Sequence, residues 1–388
     1  MSIQARAELV VDVAAIRHNV RTLRELVAPA QLMVVVKADG YGHGLAESAK
    51  AARDAGADWL GVATVDEALA LRAAGDSGRA LCWLTVPGDD LAAVVAQDVD
   101  VTVYSEAELS AVVAASDDRV PRVQVKVDTG LSRGGAPADE WPALFAAAAA
   151  LERDGRISVT GVWSHLSSSD EPDDPANAAQ EAGLAEALAE AGRAGLRPEV
   201  THLANSAAAI LRPSSRLDLV RVGIAAYGLD PAPGHTPDLG LVPAMTARAS
   251  LAMVKHVEAG AAVSYGRTWT AEHATTLGLV PVGYADGVPR VAGNRASVWV
   301  AGARRPVRGR VCMDQLLVDL DDAEVVAGDD AVLFGPGDRG EPTAQDWAEA
   351  CGTISYEIVT RIGGRMTRRH VDPGDPAASV GSADGAGT

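Results

Sequence analysis

The sequence predicts an α/β fold, namely an N-terminal (β/α)8 TIM-like barrel domain plus a C-terminal domain that is mostly β. In the first 235 residues, short apolar runs alternate with longer stretches of helical periodicity. Beyond that point, strand-like runs follow one another with few helices between them. The length of 388 residues also favours two domains over one.

Eight apolar runs carry the barrel prediction. They are LMVVVK (32–37), WLGVA (59–63), ALCWL (80–84), DVTVY (100–104), RVQVKVD (122–128), VTGVWSHL (159–166), EVTHL (199–203) and LVRVG (219–223). Eight strand-helix units are typical of a closed barrel, and a doubly wound sheet is the alternative. Five chemically versatile side chains fall at or near the carboxyl ends of these runs, where a barrel gathers them at one mouth: Lys37, Lys126, His165, His202 and Arg221.

The domain boundaries follow from changes in composition. We expect the barrel to span residues 11–235, and the β domain to span 236–373 after a linker rich in proline and glycine. The opening strand, in residues 1–10, is expected to join the β domain. Residues 374–388 have one large apolar side chain, a valine, and are predicted to be a disordered tail.

Charge and cysteine content narrow the classes of function. The net charge of −18 disfavours nucleic acid and anionic membrane surfaces as partners. Three scattered cysteines form no disulfide framework, which suits the cytoplasm. The sequence shows neither a signal peptide nor a membrane span.

The segment VVVKADGYGHG contains the clearest chemical signal. An apolar strand ends in Lys37, and a glycine-rich turn follows. A lysine that is costly to solvate tends to lose its proton, and a neutral amine can form a Schiff base with an aldehyde. By strand position alone, a lysine that merely reaches solvent is the favoured interpretation.

The last two strands of the barrel suggest an anion site. Asn205 and Ser206 stand where a helix begins, and Gly223 lets the backbone approach a ligand closely. The loops after strands seven and eight are the recurrent phosphate site of such barrels. Arg221 either forms an ion pair with Asp218 or lies beside the nitrogen of a bound pyridine ring.

These motifs, taken in order, resemble those of the alanine racemases. The segments that carry the resemblance are VVKADGYGHG, KVDTGLSRGG, WSHL, THLANSAA, RVGIAAYG, AVSYG, GRVCMDQ and TISYEI, which run from Val35 to about Arg365. The resemblance implies a homodimer that uses pyridoxal 5'-phosphate (PLP) to interconvert L-alanine and D-alanine, supplying D-alanine for peptidoglycan. A broader amino-acid racemase that also accepts serine is the alternative within this fold.

The resemblance also assigns roles to residues. Lys37 would hold the cofactor and act as the base for the D enantiomer, and Tyr265, from the other subunit, as the base for the L enantiomer. The cofactor would be bound by Lys37, Tyr41, His165, Asn205, Ser206, Arg221, Gly223, Ile224 and Tyr356. Arg133 and Met313 would contact the substrate, and the supporting residues would be Lys126, His202, Cys312 and Asp314, with Lys126 carboxylated on its amine.

Three rival interpretations remain at this stage. A metal-dependent hydrolase could use Lys126, His165 and His202, although Arg221 stands where a metal site needs a carboxylate, and we expect no metal. The segment GPGDRG (335–340) matches a nucleotide-binding pattern but is better explained as a turn before a capped helix. A PLP-binding protein without catalysis would lack the second domain.

Overall fold

The computed structural model describes residues 5–116 and 119–374. Two large sheets organise these residues, one of eight strands and one of nine. The predicted tail, 374–388, lies outside the described residues except for Gly374.

The eight-stranded sheet is the predicted barrel. Its parallel strands are Gln31–Val35 (β2), Trp59–Val62 (β3), Arg79–Cys82 (β4), Asp100–Val103 (β5), Arg122–Lys126 (β6), Ser158–Trp163 (β7), Val200–His202 (β8) and Leu219–Val222 (β9). From β2 to β8 each strand pairs with the next, and β9 returns to pair with β2. Between β8 and β9 the backbone is joined by bonds from Asp218 N to Thr201 O (3.2 Å) and from Arg221 N to Ala204 O (2.9 Å). The sheet is therefore nearly closed.

Helices cover the outside of the barrel. They are Val13–Val27, Leu45–Asp54, Val65–Ala73, Leu91–Ala96, Glu106–Ala114, Trp141–Arg153, Pro175–Ala194 and Ser206–Leu211. Several begin at a side-chain cap; Thr64 and Glu67, for example, form a reciprocal capping box. After β9 there is only the short 3-10 helix Ile224–Tyr227, and Val13–Val27 packs against it. The first helix thus closes the outer layer.

The nine-stranded sheet forms the C-terminal domain, and the opening strand belongs to it. Its strands are Ala7–Asp12 (β1), Met245–Ser250 (β10), Met253–Val257 (β11), Thr275–Val280 (β14), Ser297–Val300 (β15), Ala303–Arg308 (β16), Leu316–Asp321 (β17), Asp330–Phe334 (β18) and Thr367–Val371 (β19). β1 pairs antiparallel with β10 and parallel with β19. A two-stranded ribbon joins Ala262–Val263 (β12) to Trp269–Thr270 (β13).

Short helices complete this domain. The α-helices are Ala344–Cys351 and Ser355–Arg361, and 3-10 turns lie at Tyr265–Arg267, Tyr284–Asp286 and Arg290–Ala292. A further 3-10 turn, Pro213–Ser215, belongs to the barrel and precedes β9. Among the residues that the structure describes, no helix combines the length and apolarity needed to cross a membrane.

The barrel interior is packed rather than open. An apolar cluster, separate from the main core, fills it with Met33, Trp59, Leu81, Trp163, Val200 and Leu219, with Trp83 packed against it. Gly61 on β3 makes room, because a Cβ there would come within 2.7 Å of the Trp83 ring and 2.9 Å of Met33 Sδ. Such interior side chains give the mouth of the barrel a rigid floor.

Candidate active site

A cavity of about 380 Å³ opens at the carboxyl ends of the barrel strands. Its lining combines residues from most strands with two from the β domain: Val35, Lys37, Ala38, Tyr41, Trp83, Lys126, Arg133, Trp163, His165, Asn205, Ser206, Arg221, Gly223, Ile224, Tyr356 and Thr360. Eleven of the residues singled out in the sequence are therefore gathered around one space.

Lys37 enters the cavity from a left-handed turn. The four residues after it have positive φ, from 51° at Ala38 to 62° at Gly40. Three of the four are not glycine, so the turn needs outside support. Glu67 accepts a bond from Ala38 N (2.6 Å), and Arg368 donates to Asp39 Oδ2 (2.5 Å). Both domains therefore fix the direction of the lysine.

The charge state of Lys37 is also perturbed. Burial lowers the pKa of its amine, and the positive charges of Arg133 and Arg221 lower it further, while Glu67 opposes them. Its Nζ lies 5.8 Å from the centre of the Trp83 ring. A lysine in this setting supplies a neutral, nucleophilic amine more readily than one in solvent.

A small polar cradle lies at the ends of β8 and β9, and β9 pairs with β2, the strand that leads into Lys37. Ser206 Oγ accepts a bond from Gly223 N (2.9 Å), and Asn205 caps the following helix through its bond from Ala208 N (3.1 Å). A Cβ on Gly223 would overlap the hydroxyl of Tyr41. The Tyr41 ring is itself packed against Tyr227, with centres 5.1 Å apart. Only glycine fits here, so backbone, serine and tyrosine converge on one point.

Arg221 lies at the bottom of the cavity, and the two terminal nitrogens of its guanidinium are both hydrogen-bonded. Its Nη1 donates to His202 Nδ1 (2.6 Å), and its Nη2 donates to the carbonyls of Ser164 and Leu203 and to His165 Nδ1 (3.1 Å). Burial lowers the pKa of Arg221 to about 9, so the group remains a cation at pH 7. Among the described residues its Nε has no hydrogen-bond partner. The suggested ion pair with Asp218 is absent there, because Asp218 Oδ2 instead accepts from Thr201.

Lys126 lies beside the same arginine. It is 8% exposed, and its Nζ lies 4.8 Å from the centre of the Trp163 ring. Burial lowers the pKa of its amine to about 8, with Arg221 and Arg133 acting in the same direction. Arg133 is exposed at the rim, and within residues 5–116 and 119–374 it forms no hydrogen bond or ion pair.

Sequence reasoning missed two tryptophans of this cavity. Trp83 and Trp163 lie edge to face with centres 6.4 Å apart, and Arg221 stacks over Trp163 at 4.7 Å. Trp83 follows an apolar strand and Trp163 ends one, so the sequence pattern predicts that both are core residues. The only available signal was position, since both stand at the strand ends where Lys37 and His165 were noticed.

Tyr265 and Met313 lie away from this cavity. Tyr265 is 71% exposed and Met313 is 53% exposed, so within one chain both are presented to the surroundings. Tyr265 follows Ser264, whose φ is 63°, and lines a separate depression with Cys312. Asp314, two residues on from Cys312, pairs with Arg365 (2.7 Å). These four residues form a surface of the β domain, and the structure does not bring them to Lys37.

The geometry weighs against the metal and nucleotide interpretations. Both ring nitrogens of His202 are occupied, since Nε2 contacts Gln124 Oε1 at 2.7 Å. No group of three potential metal ligands is found across the described ranges 5–116 and 119–374. In the segment 335–340, the buried carboxylate of Glu341 already accepts from Gly337 N and Arg339 N. Thr343 then caps the helix Ala344–Cys351.

Comparison with known proteins finds the same family along nearly the whole chain. The family model described as alanine racemase, N-terminal domain, matches residues 11–231, and the one described as alanine racemase, C-terminal domain, matches residues 244–370. The alanine racemase of Salinispora arenicola (strain CNS-205) is 52% identical over 369 residues, which are 95% of this chain and 98% of that protein. That of Mycobacterium leprae (strain TN) is 52% identical over 368 residues, 94% of this chain and 95% of that protein.

Solved structures of alanine racemases show the same similarity. The alanine racemase of a D-cycloserine-producing Streptomyces lavendulae matches with a TM-score of 0.94 and 49% identity, covering 95% of this chain and 98% of that one. The alanine racemase of Corynebacterium glutamicum matches with a TM-score of 0.85 and 39% identity, covering 95% and 100%. The fold and the motif series are thus shared over nearly the full length.

Proposed function

Because the chain belongs to the alanine racemase family, we propose that it interconverts L-alanine and D-alanine with PLP bound at the barrel mouth. One observation carries the proposal: a single cavity combines a lysine of lowered pKa, a buried arginine and a glycine-serine cradle. An aldehyde, a ring nitrogen and a phosphate are the three groups of PLP that such a set would bind. None of the sequence motifs, taken alone, would require a ligand that carries all three of these groups.

The residues fit this cofactor by shape and by donor chemistry. The cradle of Ser206, Gly223 and Tyr41 is filled if a Cβ is added at Gly223, as expected where a phosphate approaches the backbone. Arg221 Nε is the donor left for the ring nitrogen. We propose that His165, Asn205, Ile224 and Tyr356, which also line the cavity, complete the binding site. When bound, PLP supplies an aldehyde for covalent attachment and a ring that makes the Cα proton of the amino acid removable.

Lys37 would serve as one base. Its amine must be neutral to accept a proton at Nζ, and burial beside two cations favours that state. The left-handed turn holds the amine in a fixed direction, so it can work on one face of the substrate only. We assign it to the D enantiomer.

Tyr265 of the partner subunit would serve as the other base, on the opposite face. A phenol needs help to ionise near neutral pH. His165 could give that help: its Nδ1 accepts from cationic Arg221, so its Nε2 carries the proton and can donate to a phenolate. The 71% exposure of Tyr265 in one chain supports a site that is completed in a homodimer.

The substrate carboxylate would be bound by Arg133. This arginine is at the rim and uncommitted among the described residues, and Lys126 lies where a carboxylated amine could orient it. Met313, with Cys312 and Asp314 beside it, would cover the substrate from the partner subunit. A methionine in that position would leave little room for a long side chain, which favours alanine over lysine.

We further propose that the enzyme works in the cytoplasm and that its D-alanine is used for peptidoglycan. The proposal is tested by assaying purified protein with L- and D-alanine, serine and lysine while its visible absorption is recorded. We expect a yellow protein that racemises alanine fastest and in both directions. A colourless protein that neither retains added PLP nor turns over alanine would contradict the proposal.

A further inference from the structure

A column of buried polar side chains runs through the barrel beneath the cavity. It begins at Arg221, continues through His202 (2.6 Å) and Gln124 (2.7 Å), and ends at the carboxylate of Asp100 (3.3 Å). His202, Gln124 and Asp100 are each 0% exposed. Asp100 opens β5 at the amino-terminal end of the barrel, so the column spans the strands from end to end.

The direction of every hydrogen bond in this column is fixed by chemistry. Arg221 can only donate, so His202 Nδ1 must accept. The neutral imidazole then carries its proton on Nε2 and donates it to Gln124 Oε1. The Gln124 amide must therefore turn its NH2 to Asp100 Oδ2, which can only accept. Asp100, acting through Gln124, and Arg221 at the other end of the column therefore require the same proton position on His202, namely Nε2.

The fold makes room for this arrangement. Gln124 on β6 reaches His202 on β8 past the intervening strand β7, whose residue beside Gln124 is Gly161. A Cβ on Gly161 would lie 2.7 Å from both Cδ and Oε1 of Gln124. Trp163 stacks on the His202 ring with centres 5.3 Å apart and an interplanar angle of 13°. These neighbours leave the imidazole one orientation.

Asp100 is itself held from several sides. It accepts from Thr160 Oγ1 (2.6 Å) and pairs with Arg79 (3.1 Å) and Arg122 (2.7 Å). Thr160 and Arg79 share Oδ2 with Gln124, whereas Arg122 binds Oδ1, so the carboxylate is held in place at both oxygens. The base of the column is therefore an anchored acceptor rather than a mobile surface acid.

We propose that Gln124 is a positioning residue for the cofactor: it transmits the orientation of Asp100 to His202 and so holds Arg221 with Nε directed into the cavity. This inference deepens the proposed function and rests on it for the identity of the group above Arg221. Without an acceptor on Nε2, His202 can move its proton to Nδ1 and lose its bond from Arg221. The guanidinium then gains freedom to turn away from the cavity.

The test uses the full-length protein with and without PLP. Gln124→Leu removes the acceptor, while Gln124→Glu keeps an acceptor for His202. The matched control is Thr102→Val, since Thr102 is also buried on a barrel strand and its Oγ1 has no hydrogen-bond partner among the described residues. Nitrogen-15 NMR of labelled histidines reports which nitrogen of His202 carries the proton; the signal is assigned with His202→Asn.

We expect Nε2 to be protonated in the wild type, in Thr102→Val and in Gln124→Glu, and a mixture of protonation sites in Gln124→Leu. Gln124→Leu should lose about 10- to 100-fold in kcat/KM and bind PLP correspondingly more weakly, with a shifted visible band, since a buried donor loses its partner. Gln124→Glu should recover most of that loss. If Gln124→Leu does not fold, Gly161→Ala, which displaces the amide, should produce the same changes.

Two results would overturn the inference. One is a wild-type His202 signal and wild-type PLP binding in Gln124→Leu, or in Gly161→Ala. The other is an equal loss in Thr102→Val, which would show that the barrel interior responds to any change. A wild-type protein that binds no PLP would instead refute the proposed function, whereas the NMR comparison without PLP would still decide the role of Gln124.

Discussion

Lys126 should carry carbon dioxide on its amine, and the structure allows the effect to be worked out. Burial lowers the pKa of this lysine from 10.5 to about 8. At pH 7 the neutral fraction of the amine then rises from about 0.03% to about 10%, a gain of roughly 300-fold. Only the neutral amine attacks carbon dioxide, so this lysine should react far ahead of an exposed one.

The product should also be stabilised where it forms. A nitrogen-carbon bond is made and two protons are lost, one when the ammonium becomes the neutral amine and one when that amine adds to carbon dioxide, so the side chain changes from cation to anion. The neighbours that disfavour the ammonium, Arg221 and Arg133, then attract the carbamate. A carbamate can receive paired hydrogen bonds from a guanidinium, which would fix Arg133 for the substrate carboxylate.

Carbon-13 NMR in labelled bicarbonate measures this directly, and the chain has only four lysines to distinguish. We expect one carbamate signal per subunit, absent in Lys126→Ala and present in the control Lys255→Ala. Because the neutral amine decreases about tenfold for each pH unit well below 8, labelling should slow as the pH falls. Lys126→Ala should lose activity that small carboxylic acids partly restore. Full activity with no carbamate signal at saturating bicarbonate would refute the reasoning.

The other predictions concern the cofactor, the cradle and the second base. Lys37→Ala should abolish racemisation and weaken PLP retention, and an unchanged visible band with normal turnover would contradict its assignment. Gly223→Ala should displace Tyr41, cost about 1–3 kcal/mol in free energy of unfolding and weaken PLP binding in a titration, whereas Gly192→Ala, in an open position on a helix, should do neither. Tyr265→Ala should stay yellow but lose exchange of the Cα proton of L-alanine far more than of D-alanine. Mixing inactive Lys37→Ala and Tyr265→Ala should regain activity through hybrid dimers, and no recovery after proven subunit exchange would place both bases in one chain.

The barrel could be predicted from the sequence because the residues that mark each strand are close together in the chain. Each strand is a short apolar run, and the polar side chain that ends it, such as Lys37 or Arg221, is visible in the sequence. Many of the residues that line the cavity could also be anticipated, because the carboxyl ends of parallel strands meet at the same mouth of the barrel. The resemblance to a known family added the roles, which remain proposals.

Contacts between distant residues could not be predicted in this way. Gln124 and His202 are 78 positions apart and meet only because the barrel closes and Gly161 leaves a gap. The glycine-rich turn after Lys37 was expected, but positive φ at Ala38 and Asp39 was not, because such residues adopt it only under tertiary constraint.

Apolar patterning also merged elements that the chain separates. Residues 304–320 have a strand-like composition without a clear break, yet β16 ends at Arg308 and β17 begins at Leu316. Cys312, Met313 and Asp314 lie in the loop between them. A core tyrosine would have been the ordinary interpretation of Tyr265, but this residue is 71% exposed in the chain, and its role as a base for a partner subunit remains a proposal.

The placement of β1 sets an order for folding during synthesis. β1 is synthesised before the barrel, whereas its neighbours β10 and β19 follow the barrel and begin about 230 and 350 residues after β1. At typical rates of elongation, β1 waits on the order of 10–50 s for β10, and the barrel between them can fold in that time. β19 spans Thr367–Val371, so β1 gains this second neighbour well after β10 has been made. The nine-stranded sheet is therefore completed after the barrel rather than before it.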